Sequence, residues 1–248
     1  MNNKNEMLKN NSDLERKLFF VTCCDHQSKR VNTLRDSLGG NLIVLDSFDK
    51  SIGSISKFIE VAKYLDEDTN IQSDDVVVFM DGFDVLCINK DVDSMLTDFI
   101  NLKVDIVVGA ENKFSHQLSS VREFYETKYC KHTMRYVNSG FYLGYKASII
   151  KMLSYCLKTY PLLCEDDRNV EGKYGDQTVL SRFMFDNEKA RQVSMTLDHS
   201  SRFVYTYNHT NLTDSHESAA PYFLHVCWLA NPACKSKYDE LVSHIQPA

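Results

Sequence analysis

The chain has 248 residues, of which 43% are hydrophobic and 25% charged, and its formal net charge at pH 7 is -6. This composition is typical of globular proteins, and the length suits a single large α/β domain. The acidic balance, with no basic patch, argues against a nucleic-acid-binding protein and against one that binds anionic membranes.

The first sixteen residues are polar and contain no apolar block. We therefore predict a disordered leader over residues 1–16 and a single domain over residues 17–248. The leader is neither a secretory signal nor a spanning helix, so we expect no membrane span and a cytoplasmic location. The eight cysteines include no C-x-x-C pair, which favours reduced, mostly buried thiols. One or two disulfides are the alternative if the protein is lumenal.

The beginning of the domain alternates between predicted strands and helices. Lys17–Thr22 (K-L-F-F-V-T) is a buried strand, and the helix after it is capped by Ser28 and ended by Gly39-Gly40. Asn41–Leu45 is a second strand, and Asp46–Gly53 is a polar loop. Together these segments predict one β-α unit and the strand that follows it.

The next elements continue the alternation. A 3.6-residue apolar period predicts a helix packed on the sheet, with Ile55, Phe58, Ile59, Ala62 and Leu65 on one face. The third strand, Asp75–Met80, is apolar along nearly its whole length, as expected where helices cover both faces of a sheet. This pattern predicts an α/β fold with a Rossmann-like, mostly parallel central sheet flanked by helices.

The remaining elements are weaker but ordered. The region Lys113–Arg135 is predicted to form a helix and loops, and Cys164–Asp176 an acidic loop. The other predicted elements, in order, are a helix over Val92–Leu102, a strand over Val104–Gly109, a strand with a glycine break over Tyr136–Tyr145, a helix ended by Pro161, a helix starting at Asp176, short strands over Val193–Leu197, Arg202–Tyr205 and Tyr222–His225, and a polar helix after Pro232.

Two carboxylates, Asp81 and Asp84, follow the third strand three residues apart. In a continuing strand they would point to opposite faces, about 10 Å apart. Gly82 allows the backbone to turn, so that both side chains can bind one hard cation at the carboxyl edge of the sheet. A polar turn without a cation is the alternative.

His225, at the end of the last predicted strand, adds an imidazole. Two carboxylates and one imidazole leave about half of an octahedral shell open, and the nitrogen donor favours Mn²⁺ over Mg²⁺. Such an ion would neutralise a leaving nucleotide diphosphate. Three alternatives stay open: a strand-end histidine held by hydrogen bonds, a haloacid-dehalogenase phosphatase, whose aspartates are however two residues apart, and a nucleotide- or sugar-binding module without turnover.

Five motifs follow one another along the chain: V-V-F-M-D-G-F-D-V-L from Val77, Y-V-N-S-G-F-Y-L-G from Tyr136, G-D-Q-T-V-L-S-R from Gly175, L-D-H-S-S-R from Leu197, and Leu224-His225. They occur in the order found in the glycosyltransferase domain of procollagen lysyl hydroxylases, which the chain resembles from about Lys17 to Lys237. The resemblance implies a GT-A type fold that uses Mn²⁺ and a UDP-sugar to glycosylate hydroxylysine or galactosyl-hydroxylysine in collagen. The hydroxylase part has no counterpart, so a stand-alone transferase domain is expected.

The same resemblance assigns the donor site. Asp81, Asp84 and His225 are similar to the family's metal ligands. Backbone groups of Thr22 and Cys23, after the first strand, would contact the uracil.

Three more side chains are candidates for donor binding. Phe83 stands where the family commonly has Tyr, so it would pack on the nucleotide without a hydroxyl. Phe48, after the second strand, is a stacking candidate. Lys57, in the following helix, would reach a phosphate, and a solvated helix face is the alternative.

The sugar and acceptor side follows from two other motifs. Asp176 and Gln177 resemble the end of an acidic run that faces the sugar and acceptor, although the residue before them is Gly175 and not another Asp. Asn138 and Ser139 resemble a segment that lines the donor sugar. Asp176 is a candidate for orienting the acceptor or for stabilising an oxocarbenium-like centre.

These assignments predict a glycosyltransferase that moves glucose from UDP-glucose to galactosyl-hydroxylysine of a collagen-like protein, with retention of configuration. Transfer of galactose or glucose directly to hydroxylysine is the alternative within the same class. The predicted partners are the UDP-sugar and the acceptor protein, and a homodimer is kept as an alternative to a monomer.

Overall fold

The computed structural model describes residues 16–24, 28–46, 49–115, 119–166, 175–217 and 219–245. Phe48 and nearly all of the predicted leader lie outside this part of the chain. The strands are β1 (Leu18–Cys23), β2 (Ile43–Leu45), β3 (Val76–Met80), β4 (Val85–Cys87), β5 (Ile106–Glu111), β6 (Tyr136–Tyr145), β7 (Met195–Leu197), β8 (Val204–Tyr207) and β9 (Phe223–Val226). The helices are α1 (Lys29–Ser37), α2 (Ser56–Glu67), α3 (Val92–Asn101), α4 (Ser119–Lys128), α5 (Lys146–Asp166), α6 (Asp176–Ala190) and α7 (Pro232–Ile245).

Six strands form the central sheet, in the order β2-β1-β3-β6-β5-β7. Strand β6 runs antiparallel to its neighbours β3 and β5, and the other adjacent pairs are parallel. The chain passes from β1 through α1 to β2 and returns through α2 to β3, on the other side of β1. The predicted mostly parallel, helix-flanked sheet is therefore confirmed.

Strand β3 lies in the middle of the molecule, and all five of its side chains are fully buried. Val76, Val78 and Met80 face a core that includes residues of α1 and α3, whereas Val77 and Phe79 face a core built with α2, α5 and α6. Helices cover both faces of this strand, which explains why its sequence is apolar without alternation. Its carboxyl end carries Asp81.

A second sheet of three strands, in the order β4-β9-β8, lies beyond the end of β3. Strands β8 and β9 were predicted from the sequence, whereas β4 was not, because its three residues are too few for a periodic signal. In this sheet β4 is antiparallel to β9, and Val85 is paired with His225. The pairing places His225 beside Asp84, the residue before β4.

Strand β6 contains a bulge where the sequence indicated a glycine break. Val108 of β5 pairs with Tyr142, but the next residue, Gly109, pairs with Asn138. The three residues Ser139–Phe141 therefore have no partner on β5, and Phe141 still pairs with Met80 of β3. Bulges re-aim side chains and are frequent next to active sites.

Some local expectations were wrong. Helix α5 continues through Pro161 to Asp166; a proline removes one hydrogen-bond donor without necessarily ending a helix. Ile59, predicted to face the sheet, is 38% exposed. The polar loop before α2 contains a 3-10 helix over Lys50–Ile55, built from a segment too short to show a period.

The motif that starts at Leu197 has a structural role. The buried carboxylate of Asp198 accepts hydrogen bonds from the backbone N–H groups of Arg202, Phe203 and Val204, at 2.7–2.8 Å. Burial raises the pKa of Asp198 to about 6. These bonds fix the turn between β7 and β8.

Seven cysteines of the described part are free thiols, and six of them are buried. Within the same part of the chain, no helix combines the length and the apolar character that crossing a bilayer requires.

Candidate active site

The turn after β3 has the shape that the three-residue spacing requires. Residues Gly82, Phe83 and Asp84 form the turn. A Cβ atom on Gly82 would lie 2.3 Å from Sγ of Cys24 and 2.9 Å from Oγ1 of Thr22. Because real Cβ atoms do not approach so closely, the turn packs against the end of β1 only with glycine at this position.

Asp81, Asp84 and His225 converge at the end of β3. Each offers one ligand atom, and these atoms all lie within 4.8 Å of one another. Among the described residues, no other group of three acidic, histidine or cysteine side chains comes together in this way. Oδ1 of Asp84 is buried without a hydrogen bond and lies 3.3 Å from Nε2 of His225.

Gly140, in the bulge of β6, completes this cluster. A Cβ atom there would lie 2.3 Å from Cε1 of His225 and 2.8 Å from Oδ2 of Asp81. The backbone of Gly140 also accepts a hydrogen bond from the N–H of Asp81, at 2.8 Å. The sequence indicates only a strand break at this glycine, and the structure adds its contact with the cluster.

The three side chains fit a divalent cation. Two carboxylates and a neutral imidazole suit a first-row metal ion such as Mn²⁺. An octahedral ion with bonds of about 2.1 Å holds opposite ligands about 4.2 Å apart. The three ligand atoms, which lie within 4.8 Å of one another, would therefore need to move only slightly closer together to bind it. Burial raises the pKa of Asp81 above its usual range, although the Lys57 ammonium opposes the shift; a bound cation would favour its ionised form further.

Lys57 joins two carboxylates of the site. Its Nζ atom lies 2.8 Å from Oδ1 of Asp81 and 2.6 Å from Oδ2 of Asp176. The side chain is only 8% exposed, so the alternative of a solvated helix face is wrong. Burial alone would lower the pKa of Lys57, but the charges of Asp176 and Asp81 outweigh it and raise that pKa. The ammonium is therefore charged.

Asp176 lies at the first position of α6, with Gly175 as the residue before the helix. Its carboxylate accepts a hydrogen bond from Oγ of Ser139, at 2.5 Å. Burial alone would raise the pKa of Asp176, but Lys57 and the hydrogen bond from Ser139 outweigh it and lower that pKa. A Cβ atom on Gly175 would lie 2.7 Å from Oγ of Ser54, which explains how glycine suits this position.

Gln177 connects the same helix to the end of β5. Its Nε2 donates to Oε1 of Glu111 at 2.6 Å, and its Oε1 accepts a hydrogen bond from the N–H of Ser139 at 3.4 Å. Glu111 is 2% exposed, and burial raises its pKa to about 7. No role was predicted for Glu111, although a carboxylate at the end of an apolar strand is the signal that would have found it.

Asn138 is buried in the protein's own hydrogen bonds. Its Oδ1 accepts from the N–H of Gly140 at 3.0 Å, and its Nδ2 donates to Sγ of Cys227 at 3.3 Å. These bonds hold the bulge of β6. Contact of Asn138 and Ser139 with a donor sugar stays a prediction.

The predicted nucleotide side lies at the ends of β1 and β3. Thr22 is fully buried and Cys23 nearly so, and burial raises the pKa of the Cys23 thiol to about 12. Side-chain chemistry at these two positions is therefore limited, which leaves backbone groups as the predicted contacts with a base. Phe83 is 39% exposed and available for packing on a ligand. Phe48 lies outside the described residues.

Three comparisons with known proteins bear on these observations. A family model described as "PLOD GT domain" matches residues 46–219, well over half of the chain. The match includes Asp81, Asp84 and Asp176 but not Thr22 or His225. Comparison with curated protein sequences gave no match.

The fold is similar to that of a solved glycosyltransferase. A "glycosyltransferase involved in the glycosylation of the major capsid of PBCV-1" is 10% identical, with a TM-score of 0.55 over 92% of this chain and 99% of that chain. Mouse xyloside xylosyltransferase 1 is also 10% identical, with a TM-score of 0.47 over 85% of this chain and 96% of that chain. The first likeness supports the predicted GT-A type fold.

We predict that Gly140→Ala weakens cation binding. The added methyl group would displace His225 or Asp81, so the affinity for Mn²⁺ should fall by about 10-fold to 100-fold, measured by electron paramagnetic resonance of free Mn²⁺. Gly40→Ala is the matched control: its Cβ meets nothing within 4 Å, but its φ of +89° makes alanine strained. Gly40→Ala should therefore lower the stability of the protein and leave its affinity for Mn²⁺ unchanged. Unchanged Mn²⁺ binding by Gly140→Ala would contradict the assignment.

A second prediction concerns pH. The pKa of Glu111 in the folded state, about 7, lies above its ordinary value of 4.5. Between these values the folded state binds more protons than the unfolded state, so this group's contribution to the free energy of unfolding falls as pH rises from 4.5 to 7. Across this pH range, the free energy of unfolding of the wild type, measured with urea, should fall by about 2 kcal/mol relative to that of Glu111→Gln. Glu67→Gln, at an exposed position, is the control, and parallel curves for wild type and Glu111→Gln would exclude a titrating Glu111.

Proposed function

The chain belongs to the family of PLOD glycosyltransferase (GT) domains, and on that premise we propose that it transfers glucose from UDP-glucose to galactosyl-hydroxylysine of a collagen-like protein, with Mn²⁺ as cofactor. Family membership makes the protein a glycosyltransferase that uses a nucleotide-sugar donor and an acceptor. It favours this class over the phosphatase and the non-catalytic binding module. The identity of the sugar, acceptor and metal ion is the proposal.

The observation that carries the proposal is the convergence of Asp81, Asp84 and His225 at the carboxyl edge of the sheet, where α/β proteins bind ligands. These residues would hold the ion. When bound, Mn²⁺ supplies Lewis acidity that neutralises the charge of a departing nucleoside diphosphate. Oδ1 of Asp84 supports this role, because this buried oxygen makes no hydrogen bond and faces only the imidazole of His225, which is itself a predicted ligand of the ion.

The residues beside the cluster would act on the sugar and the acceptor. Lys57 holds Asp176 close to Asp81, and a hydrogen bond from Ser139 fixes the carboxylate of Asp176. The lowered pKa of Asp176 keeps its carboxylate ionised. A fixed negative charge next to the donor sugar would stabilise positive charge at the anomeric carbon and orient the acceptor hydroxyl.

In the proposed reaction, the acceptor oxygen forms a bond with the anomeric carbon as the bond from that carbon to the β-phosphate oxygen breaks. The electron pair of the broken bond leaves with UDP, and the hydroxyl proton passes to the departing phosphate. Attack from the face that UDP leaves would give retention. Asp176 is not assigned as a covalent nucleophile.

The proposal predicts the result of a panel of UDP-sugars with hydroxylysine and galactosyl-hydroxylysine peptides, analysed by mass spectrometry. UDP-glucose and the galactosyl-hydroxylysine peptide should give an increase of one hexose, which Mn²⁺ stimulates. Asp84→Asn removes one charge from the cluster and should lower the rate about 100-fold or more. Asp66→Asn, on the exposed side of α2, should act as wild type.

Three other results of these experiments would contradict parts of the proposal. Transfer to hydroxylysine itself would replace the acceptor assignment with the alternative within the class. Full activity of Asp84→Asn with Mn²⁺ would contradict the metal assignment. Release of phosphate from a generic phosphomonoester, without use of any UDP-sugar, would overturn the proposed function.

A further inference from the structure

Trp228 is the one tryptophan of the chain, and it is 47% exposed. It comes three residues after His225 and two residues after the end of β9. The preceding residue, Cys227, lies inside the site, because its Sγ is 3.3 Å from Nδ2 of Asn138 and 3.6 Å from Nε2 of His225. A large aromatic side chain therefore stands exposed at the rim of the candidate active site.

The backbone holds Trp228 in an unfavourable conformation. Its φ angle is +66°, which is rare for a bulky residue. Hydrogen bonds on both sides impose this conformation: the N–H of Cys227 donates to the carbonyl of Tyr207 at 2.8 Å, and the N–H of Asn231 donates to the carbonyl of Trp228 at 2.8 Å. Strain of this kind is concentrated at functional sites.

Two side chains support the indole. The His209 ring stacks on it, with centroids 5.1 Å apart and an angle of 24°, and Nζ of Lys113 lies 4.6 Å from the ring centre. Nζ of Lys113 is also 3.1 Å from Nε2 of His209. Two atoms so close cannot lie on opposite faces of one ring, so both groups support the same face. We call Trp228, His209 and Lys113 the Trp228 platform.

The topology separates this platform from the predicted nucleotide contacts. Thr22 and Cys23 end β1, which lies on one side of β3, whereas Lys113 follows β5, on the other side of β6. The cluster of Asp81, Asp84 and His225 is at the end of β3, between them. A donor with its base at β1 and its diphosphate at the cluster directs its sugar toward β6 and β5, so the platform borders the acceptor side.

We propose that the Trp228 platform binds a pyranose ring of the acceptor, by stacking of the indole on the apolar C–H face of that sugar. This inference rests on the proposed function, because it gives an acceptor that already carries a hexose. An indole offers a rigid apolar surface with little loss of conformational entropy. Because Lys113 and His209 lie on one face of the indole and support it there, the sugar ring would stack on the opposite face.

The single tryptophan allows a direct binding experiment. Methyl β-galactoside should change the intrinsic fluorescence of the protein in a saturable way, whereas the acyclic polyol sorbitol and UDP with Mn²⁺ should leave it nearly unchanged. No saturable change with the galactoside, or the same change with sorbitol, would overturn the proposal. A dominant response to UDP would assign the platform to the nucleotide and would equally overturn it.

Kinetics with the galactosyl-hydroxylysine peptide gives an independent test. Trp228→Ala should raise the KM for the acceptor about 10-fold and leave the KM for the donor, measured by hydrolysis of the UDP-sugar, unchanged. Trp228→Phe should restore most of the acceptor affinity. Leu102→Ala is the matched control, since Leu102 is also 47% exposed but lies just after α3.

The two proposals fail in different ways. If the wild type uses no UDP-sugar, the proposed function fails, and the fluorescence titration decides the platform by itself. If the wild type is active and Trp228→Ala keeps the wild-type KM for the acceptor, only the platform is overturned. Circular dichroism of the variants excludes a general folding defect.

Discussion

The site depends on the ammonium of Lys57, which lies between two carboxylates that would otherwise repel each other. Asp81 follows the central strand β3, and Asp176 begins α6, so one side chain from α2 connects the turn after β3 to the start of α6. Two neighbouring carboxylates in a protein interior raise each other's pKa unless a cation lies between them. Removing one partner of a buried ionic group leaves an uncompensated charge. Lys57 thus permits Asp81, proposed to bind the cation, and Asp176, proposed to stabilise the sugar, to lie side by side.

The shape of the site depends equally on glycine. Gly82 lets the turn pack on β1, Gly140 lets β6 approach His225, and Gly175 lets α6 begin next to Ser54. In each case a Cβ atom would lie within 2.7 Å of a neighbouring atom. The bulge of β6 brings Ser139 to Asp176 and Gly140 to the cation cluster.

Much of the fold and the outline of the site followed from sequence. The apolar run of β3, the turn at Gly82 and the strand that carries His225 have local signals, and the ordered motifs connected them. Features that arise from contacts between distant segments were missed: strand β4 beside β9, Gln177 hydrogen-bonded to Glu111, and the burial of Lys57. Lys57 is 24 residues from Asp81 along the chain, and no local pattern encodes the pair. Pro161 is the opposite case: a strong local signal predicted the end of a helix, but α5 continues through this proline.

The central claim is that Asp81, Asp84 and His225 bind a divalent cation together with the diphosphate of the donor. X-ray diffraction at the manganese absorption edge, from crystals grown with Mn²⁺ and UDP, tests it most directly. The account predicts an anomalous peak bounded by these two carboxylates and the imidazole, in contact with the diphosphate. A peak held by other residues, or bound UDP with no peak at this cluster, would contradict it.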